Sequence, residues 1–243
     1  MNIKLTLEYD GTNYCGWQTQ PNGPSIQSVL EEAVSTFLGT PTRVIGSGRT
    51  DAGVHALGQV VNFFSDCKFD RHRLLRALNA LTPRDITIKE AELVPEAFDA
   101  RRDGRSRVYR YYILNRSTPS PFHLNRAWHV HEPLDLEAMR EAIGCLSGEH
   151  DFSSFRAAGC EAAHAIRRVY QNSLERRGDL LIYTIEATAF LRHMVRNIAG
   201  TMVEVGRGVR SAESVEELLE ARDRTKAGVT APPHGLFLVK VNY

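Results

Sequence analysis

The chain has 243 residues, 42% of them hydrophobic and 24% charged, with 30 Lys+Arg against 29 Asp+Glu for a formal net charge of +1. This is an ordinary globular composition, long enough for one large domain or two small ones, and no apolar run approaches the roughly 20 residues that span a bilayer. The cysteines Cys15, Cys67, Cys145 and Cys160 show no CxxC spacing, so neither a zinc site nor a disulfide framework is indicated.

Residues 1–9 alternate, with Ile3, Leu5 and Leu7 on one face, and predict a strand. They lack the apolar core of a signal peptide, so a cytoplasmic location is expected. Ser25 then caps a helix whose apolar residues, Ile26, Val29, Leu30, Ala33, Val34, Phe37 and Leu38, fall at helical spacing until Gly39 ends it. Strands are expected at 42–45 and 58–64, a helix at 70–80 stopped before Pro83, and a strand at 86–93. Residues 108–114 and 128–131 read as extended, and Asp135 opens a helix over 136–146. Segments 166–175 and 180–190 predict an antiparallel pair turned at Arg177-Gly178-Asp179. A long helix follows, with Leu191, Met194, Val195, Ile198, Met202 and Val205 on its buried face and Arg192, His193, Arg196 and Asn197 opposite. An acidic helix at 214–221 and a strand at 236–241 close the chain.

Strands and helices mix without strict βαβ alternation, which predicts an α+β class with mostly antiparallel sheet. Two similar halves, 1–100 and 101–243, each a sheet with helices on one face, would leave a cleft or open sheet faces for RNA. His129 and His131 would share a strand face, but no third ligand sits near them in sequence, so they are read as core or surface histidines.

The segment Gly46-Ser47-Gly48-Arg49-Thr50-Asp51-Ala52-Gly53-Val54-His55-Ala56 is the densest in chemistry. Its glycines allow positive φ and close approach of backbone to a ligand. Arg49 and Asp51, two apart, would share a side of an extended segment, which suits a carboxylate aimed by an adjacent cation. A Gly-rich connection between strands with an exposed Arg–Asp pair is also an ordinary turn, worth about 0–1 kcal/mol. Gly46-Ser47-Gly48 begins like a dinucleotide fingerprint, yet Asp51 stands at the third glycine position, where a carboxylate would repel a pyrophosphate.

Arginine is segregated. Arg101, Arg102, Arg105, Arg107, Arg110 and Arg116 lie in one run with Tyr109, Tyr111 and Tyr112 between them, Arg167, Arg168, Arg176 and Arg177 in a second, and Arg192, Arg196, Arg207 and Arg210 in a third. Arg preferred to Lys and interleaved with aromatics fits a binder of phosphate backbones.

Residues 48–56 resemble the signature of the tRNA pseudouridine synthase A family. Further matches follow in order: Tyr9-Asp10-Gly11-Thr12 with Gly16-Trp17-Gln18, Phe98-Asp99-Ala100-Arg101, Arg107-Val108-Tyr109-Arg110-Tyr111, Asp151-Phe152-Ser153-Ser154-Phe155, Phe190-Leu191-Arg192-His193-Met194-Val195-Arg196-Asn197-Ile198 and Ala231-Pro232-Pro233-His234-Gly235-Leu236-Phe237-Leu238. The resemblance implies the pseudouridine synthase fold and isomerisation of uridine at tRNA positions 38, 39 and 40, in the anticodon stem-loop. It also implies no cofactor, a nucleotide cofactor included, no essential metal, and a homodimer across which tRNA lies. On the matching positions Asp51 takes the place of the essential aspartate, Arg49 its guanidinium partner and Tyr109 the aromatic residue against the target base. Val108 stands where a basic residue is usual and is expected to face away from Tyr109.

Isomerisation must break the C1′–N1 bond, turn the uracil while it stays bound, and join C1′ to C5. Asp51 is assigned as nucleophile or base, and Tyr109 as the stacking platform for an extruded base, with its hydroxyl a candidate for removing the C5 proton. Gly235 is expected to admit the base close to backbone and Leu236 to wall out water, while Arg192 and Arg196 are candidate tRNA contacts. Two rival readings remain open at this stage: a nucleoside or glycoside hydrolase using Asp51, although such enzymes need a second carboxylate, and a non-catalytic RNA-binding module.

Overall fold

The computed structural model describes residues 1–66 and 70–243, so Cys67 lies outside the described residues. In chain order the elements are β1 (Asn2–Tyr9), α1 (Ile26–Leu38), β2 (Ile45–Gly46), β3 (His55–Phe64), α2 (Arg71–Leu81), β4 (Ile86–Val94), β5 (Ser106–Asn115), β6 (Trp128–Val130), α3 (Leu136–Gly144), β7 (Gly148–Asp151), β8 (Ile166–Arg177), β9 (Leu180–Ala187), α4 (Met194–Gly206), α5 (Ser214–Ala221) and β10 (Leu236–Asn242). The class is α+β with mostly antiparallel pairing, as the patterning predicts. The chain divides into two compact units, Met1–Arg105 with Phe237–Tyr243, and Ser106–Leu236.

In the first unit β1 is central, antiparallel to β4 on one side and to β3 on the other. Its odd residues, Ile3, Leu5, Leu7 and Tyr9, are buried, whereas Lys4, Thr6 and Glu8 are half-buried. Helix α1 begins where expected because Ser25 and Ser28 form a reciprocal cap, and ends at Gly39, whose φ of 72° needs no Cβ. Asp70 accepts from the Arg73 N–H at 2.8 Å to open α2.

The strand expected at 42–45 is reduced to Ile45–Gly46. Its backbone donors go to side chains of α1 instead: the Thr42 N–H to Ser35 Oγ at 2.9 Å and the Val44 N–H to Glu31 Oε1 at 3.1 Å. The final strand, expected with the second half, belongs to the first unit from Phe237 onward. It pairs in parallel with β3 through Phe237 and His55, and through Leu238 and Ala56.

In the second unit β9 lies between β5 and β8, with β7 beyond β8 and β6 parallel to β5. The turn at Gly178, with φ 60°, joins β8 to β9 at the predicted place. Helix α4 departs from its amphipathic reading. It is buried nearly all round, because Ala199, Gly200, Thr201 and Gly206 let neighbours approach from several sides. A Cβ on Gly200 would stand 1.7 Å from Val229 O, and one on Gly206 2.6 Å from Met139 Sδ. Asn197, expected on the outer side, is 0% exposed. It donates to Phe155 O at 2.8 Å, and its Oδ1 accepts from Arg224 Nη2 at 3.1 Å and Thr230 Oγ1 at 2.7 Å. The helical wheel placed it by angle alone and could not register these partners.

Candidate functional site

The Asp51 segment connects β2 to β3, and several of its backbone groups are fastened by neighbouring elements. Ser47 Oγ meets Gln59 Oε1 at 2.6 Å, and Gln59 Nε2 donates to Gly48 O at 3.0 Å. Thr50 turns inward, where its Oγ1 and the Tyr9 hydroxyl share a buried hydrogen bond of 2.8 Å. Burial first, with Thr50 and Gln59 hydrogen bonds opposing, pushes the Tyr9 hydroxyl up to about 12, so it is neutral at physiological pH. The Trp17 N–H donates to Thr50 O at 3.0 Å, and the Val54 N–H to Asp51 O at 3.1 Å, closing a turn through Gly53 at φ 77°.

Close approach explains the accompanying glycines. A Cβ on Gly11 would lie 2.1 Å from Val54 O, and one on Gly16, whose φ is 93°, would lie 2.7 Å from Thr50 O. The Gly11 N–H donates to His55 Nδ1 at 3.0 Å, and the His55 ring stacks on Phe237 at 4.5 Å. Segments 9–11 and 16–17 are therefore the clamp that holds the turn, a role that sequence reasoning missed although it had matched both segments. With Thr50 buried, Arg49 is exposed and Asp51 half-buried. Buried Thr50 thus lies between two less buried charged residues.

Tyr109, Arg192, Arg196, Gly235 and Leu236 all belong to the second unit. Tyr109 is 9% exposed and meets Phe190 edge-on, with ring centroids 5.0 Å apart. Val108 is half-buried and alternates with Tyr109 along β5, as expected. Tyr111 is sealed in the core. Its hydroxyl donates to Pro232 O at 2.7 Å, and burial, opposed by the Arg196 charge, raises it above the usual phenol range. Tyr111 therefore offers no face to a base, and Tyr112 is half-buried.

Gly235 is required by packing, since a Cβ there would lie 2.7 Å from Tyr111 Cζ. Leu236 follows it, buried, at the start of β10. The two candidate arginines differ. Arg192 is exposed. Arg196 is half-buried, its Nε donating to Ala231 O at 2.8 Å while its own carbonyl accepts from the Ala231 N–H at 3.1 Å. It pins the 231–235 segment to α4. His193, between them, holds a left-handed φ of 61° at the helix start, an uncommon conformation for a residue with a side chain.

The first arginine run is dispersed. Arg101, Arg102 and Arg105 are exposed, Arg107 Nη1 donates to Thr188 O at 3.1 Å, and Arg116 bonds Thr118 O, Pro119 O and Asp179. His129 Nε2 donates to Arg116 O at 2.8 Å, and the exposed His131 stands 3.4 Å from Glu132. Among the described residues no group of three or more His, Cys, Asp or Glu could hold a metal ion, and no helix is long and apolar enough to cross a membrane.

Comparison with known proteins accounts for this combination of a clamped Asp turn and a buried tyrosine strand. The chain matches the family described as tRNA pseudouridine synthase over residues 6–102 and 142–243. It is 52% identical over 242 residues to tRNA pseudouridine synthase A of Myxococcus xanthus, covering 99% of this chain and 91% of that one. It is 46% identical to tRNA pseudouridine synthase A of Geotalea uraniireducens, covering 99% of both chains. The protein of the same name from Thermoanaerobacter sp. is 44% identical over 242 residues, 100% of this chain and 99% of that one. Family match and relatives together span both units and every motif described above, and the chain belongs to the tRNA pseudouridine synthase family.

Proposed function

We propose that this chain isomerises uridine to pseudouridine in tRNA, with Asp51 as the attacking or proton-abstracting group. The observation that carries the reading is the Asp51 turn itself, where Tyr9, Trp17, Gly11 and Gln59 fix the backbone that carries exposed Arg49 and half-buried Asp51. Preorganisation of this kind suits a group that must act at one atom of a bound nucleotide.

Asp51 opens the reaction at the nucleoside, and Arg49 orients it and balances its charge. Tyr109, already edge-on to Phe190, receives the extruded uracil. Base–aromatic stacking returns about 1–3 kcal/mol against the few kcal/mol of unstacking. Gly235 and Leu236 border the detached base and limit hydrolysis. The substrate positions are 38, 39 and 40 of the anticodon stem-loop and the working form is a homodimer; both readings follow the motif resemblance. An intracellular, cytoplasmic location accords with a tRNA substrate.

The deciding experiment treats tRNA transcripts with the pure protein and maps pseudouridine by nucleotide. Pseudouridine at 38–40 is the expected result. Free uracil would instead make the chain a hydrolase, and binding without either product an RNA-binding module.

A further inference from the structure

The loop that follows the short turn Ser153–Phe155 gathers positive charge around one thiol. The Arg192 N–H donates to Cys160 Sγ at 3.5 Å, and Arg192 Nη1 to Ala158 O at 3.4 Å. The Ala157 N–H returns a bond to Arg192 O at 3.1 Å. Arg156 Nη2 donates to the carbonyls of Cys160 and Ala162. From β8 comes Arg167, 9% exposed, whose Nη1 donates to His164 O at 3.0 Å and Ile166 O at 2.6 Å.

Arg167 Nε is buried without a hydrogen-bond partner. An unpartnered donor on a buried cation is costly. Burial lowers the pKa of this guanidinium, Cys160 opposes that shift, and Arg156 adds to it. Burial works to raise the Cys160 thiol, but the Arg192 and Ala162 N–H groups and the Arg156 charge outweigh it and hold the thiol below its ordinary value.

Negative charge is therefore stabilised at this spot. Asp151 is engaged mainly by Ser153 and by Arg222 at 3.5 Å, with the Arg156 charge a smaller influence on its carboxyl. Among the described residues, none of the three guanidiniums forms an ion pair.

We infer that Arg156, Arg167 and Arg192 form a subsite for one phosphodiester of the substrate RNA, seated over Cys160. This rests on the tRNA reading above and adds two arginines to it. The subsite also touches the tyrosine strand through a short path. The segment that carries Arg192 carries Phe190, whose ring lies against Tyr109, so phosphate capture here steadies the wall of the base-binding region.

Cys160 supplies the probe. In the full-length protein at neutral pH, iodoacetamide alkylation followed by peptide mass mapping should label Cys160 faster than Cys145, whose thiol burial raises to about 11. Saturating tRNA should slow Cys160 labelling several-fold. Arg156→Ala and Arg192→Ala should each reduce the salt slope of tRNA binding by about one, while Arg156→Lys keeps the slope. The lysine variant separates charge from the loop contacts that alanine also removes.

Unchanged Cys160 labelling with bound tRNA, together with unchanged slopes in both alanine variants, overturns the subsite. Protection by millimolar inorganic phosphate without protection by tRNA overturns its assignment to RNA. A transcript converted to pseudouridine while Cys160 stays unprotected sinks the subsite alone. Absence of both conversion and tRNA binding sinks the isomerase reading and the subsite with it.

Discussion

The Asp51 turn and the Arg192–Arg196 segment carry their charges in opposite ways. At the turn, neutral groups do the fastening: the Tyr9 hydroxyl, the Trp17 N–H and the Gln59 amide hold Thr50 and Gly48, while Arg49 is exposed and Asp51 half-buried. At the second segment a charged side chain is itself a fastener, since Arg196 holds the 231–235 segment and only Arg192 is exposed. The role proposed for Asp51 calls for a fixed backbone. The tRNA contact proposed for the second segment tolerates a looser mixture, because phosphate contacts are numerous and individually modest.

The largest effect expected from this contrast is at Asp51. Asp51→Asn should lower turnover by on the order of 10⁴-fold while tRNA affinity stays within a few-fold. Parallel loss of binding would make Asp51 part of the scaffold and erase the distinction between the two regions. Next is the clamp. Gly11→Ala drives a methyl to 2.1 Å from Val54 O, and the overpacking should cost about 3 kcal/mol by denaturant titration, with activity falling further than stability alone explains.

Tyr9→Phe removes one partner of the buried 2.8 Å bond to Thr50. It should cost about 1–3 kcal/mol and reduce kcat with little change in KM, whereas unchanged kcat would show that the turn does not need its clamp. At Tyr109, replacement by Phe keeps the ring beside Phe190 and tests the hydroxyl alone. Full turnover in that variant leaves Tyr109 a stacking role only, and Tyr109→Leu should then be the damaging change. The smallest difference is between the arginines: Arg192→Ala should weaken binding mainly at low salt, where a phosphate contact counts most, and Arg196→Ala should lower thermal stability, because it frees the Ala231 carbonyl.

Much of the architecture was legible in one dimension. The caps Ser25, Asp70 and Asp135, the stop at Gly39 and the turn at Gly178 are local chemistry, and each stands where its residue type places it. The alternation of Arg49, Thr50 and Asp51 was equally local. What failed to show was any feature whose cause lies far along the chain. Residues 42–44 have the composition of a strand, but Ser35 and Glu31 take up backbone donors that a neighbouring strand would have used. Asn197 has polar character but sits among Phe155, Arg224 and Thr230, none of which its helical position could announce.

The sequence alone determined the class of the fold, the main elements, the family resemblance and the candidate residues for the chemistry, because caps, periodicity and motif spacing are properties of neighbours. Tertiary structure decided which of the candidate residues are buried and which are exposed. Long-range contacts hold Thr50 inward and commit Arg196 to a carbonyl. They also take Tyr111 out of any RNA-facing surface and gather Arg156, Arg167 and Arg192 around Cys160. Burial and hydrogen-bond satisfaction depend on partners distant in sequence, and only the folded chain brings those partners into contact.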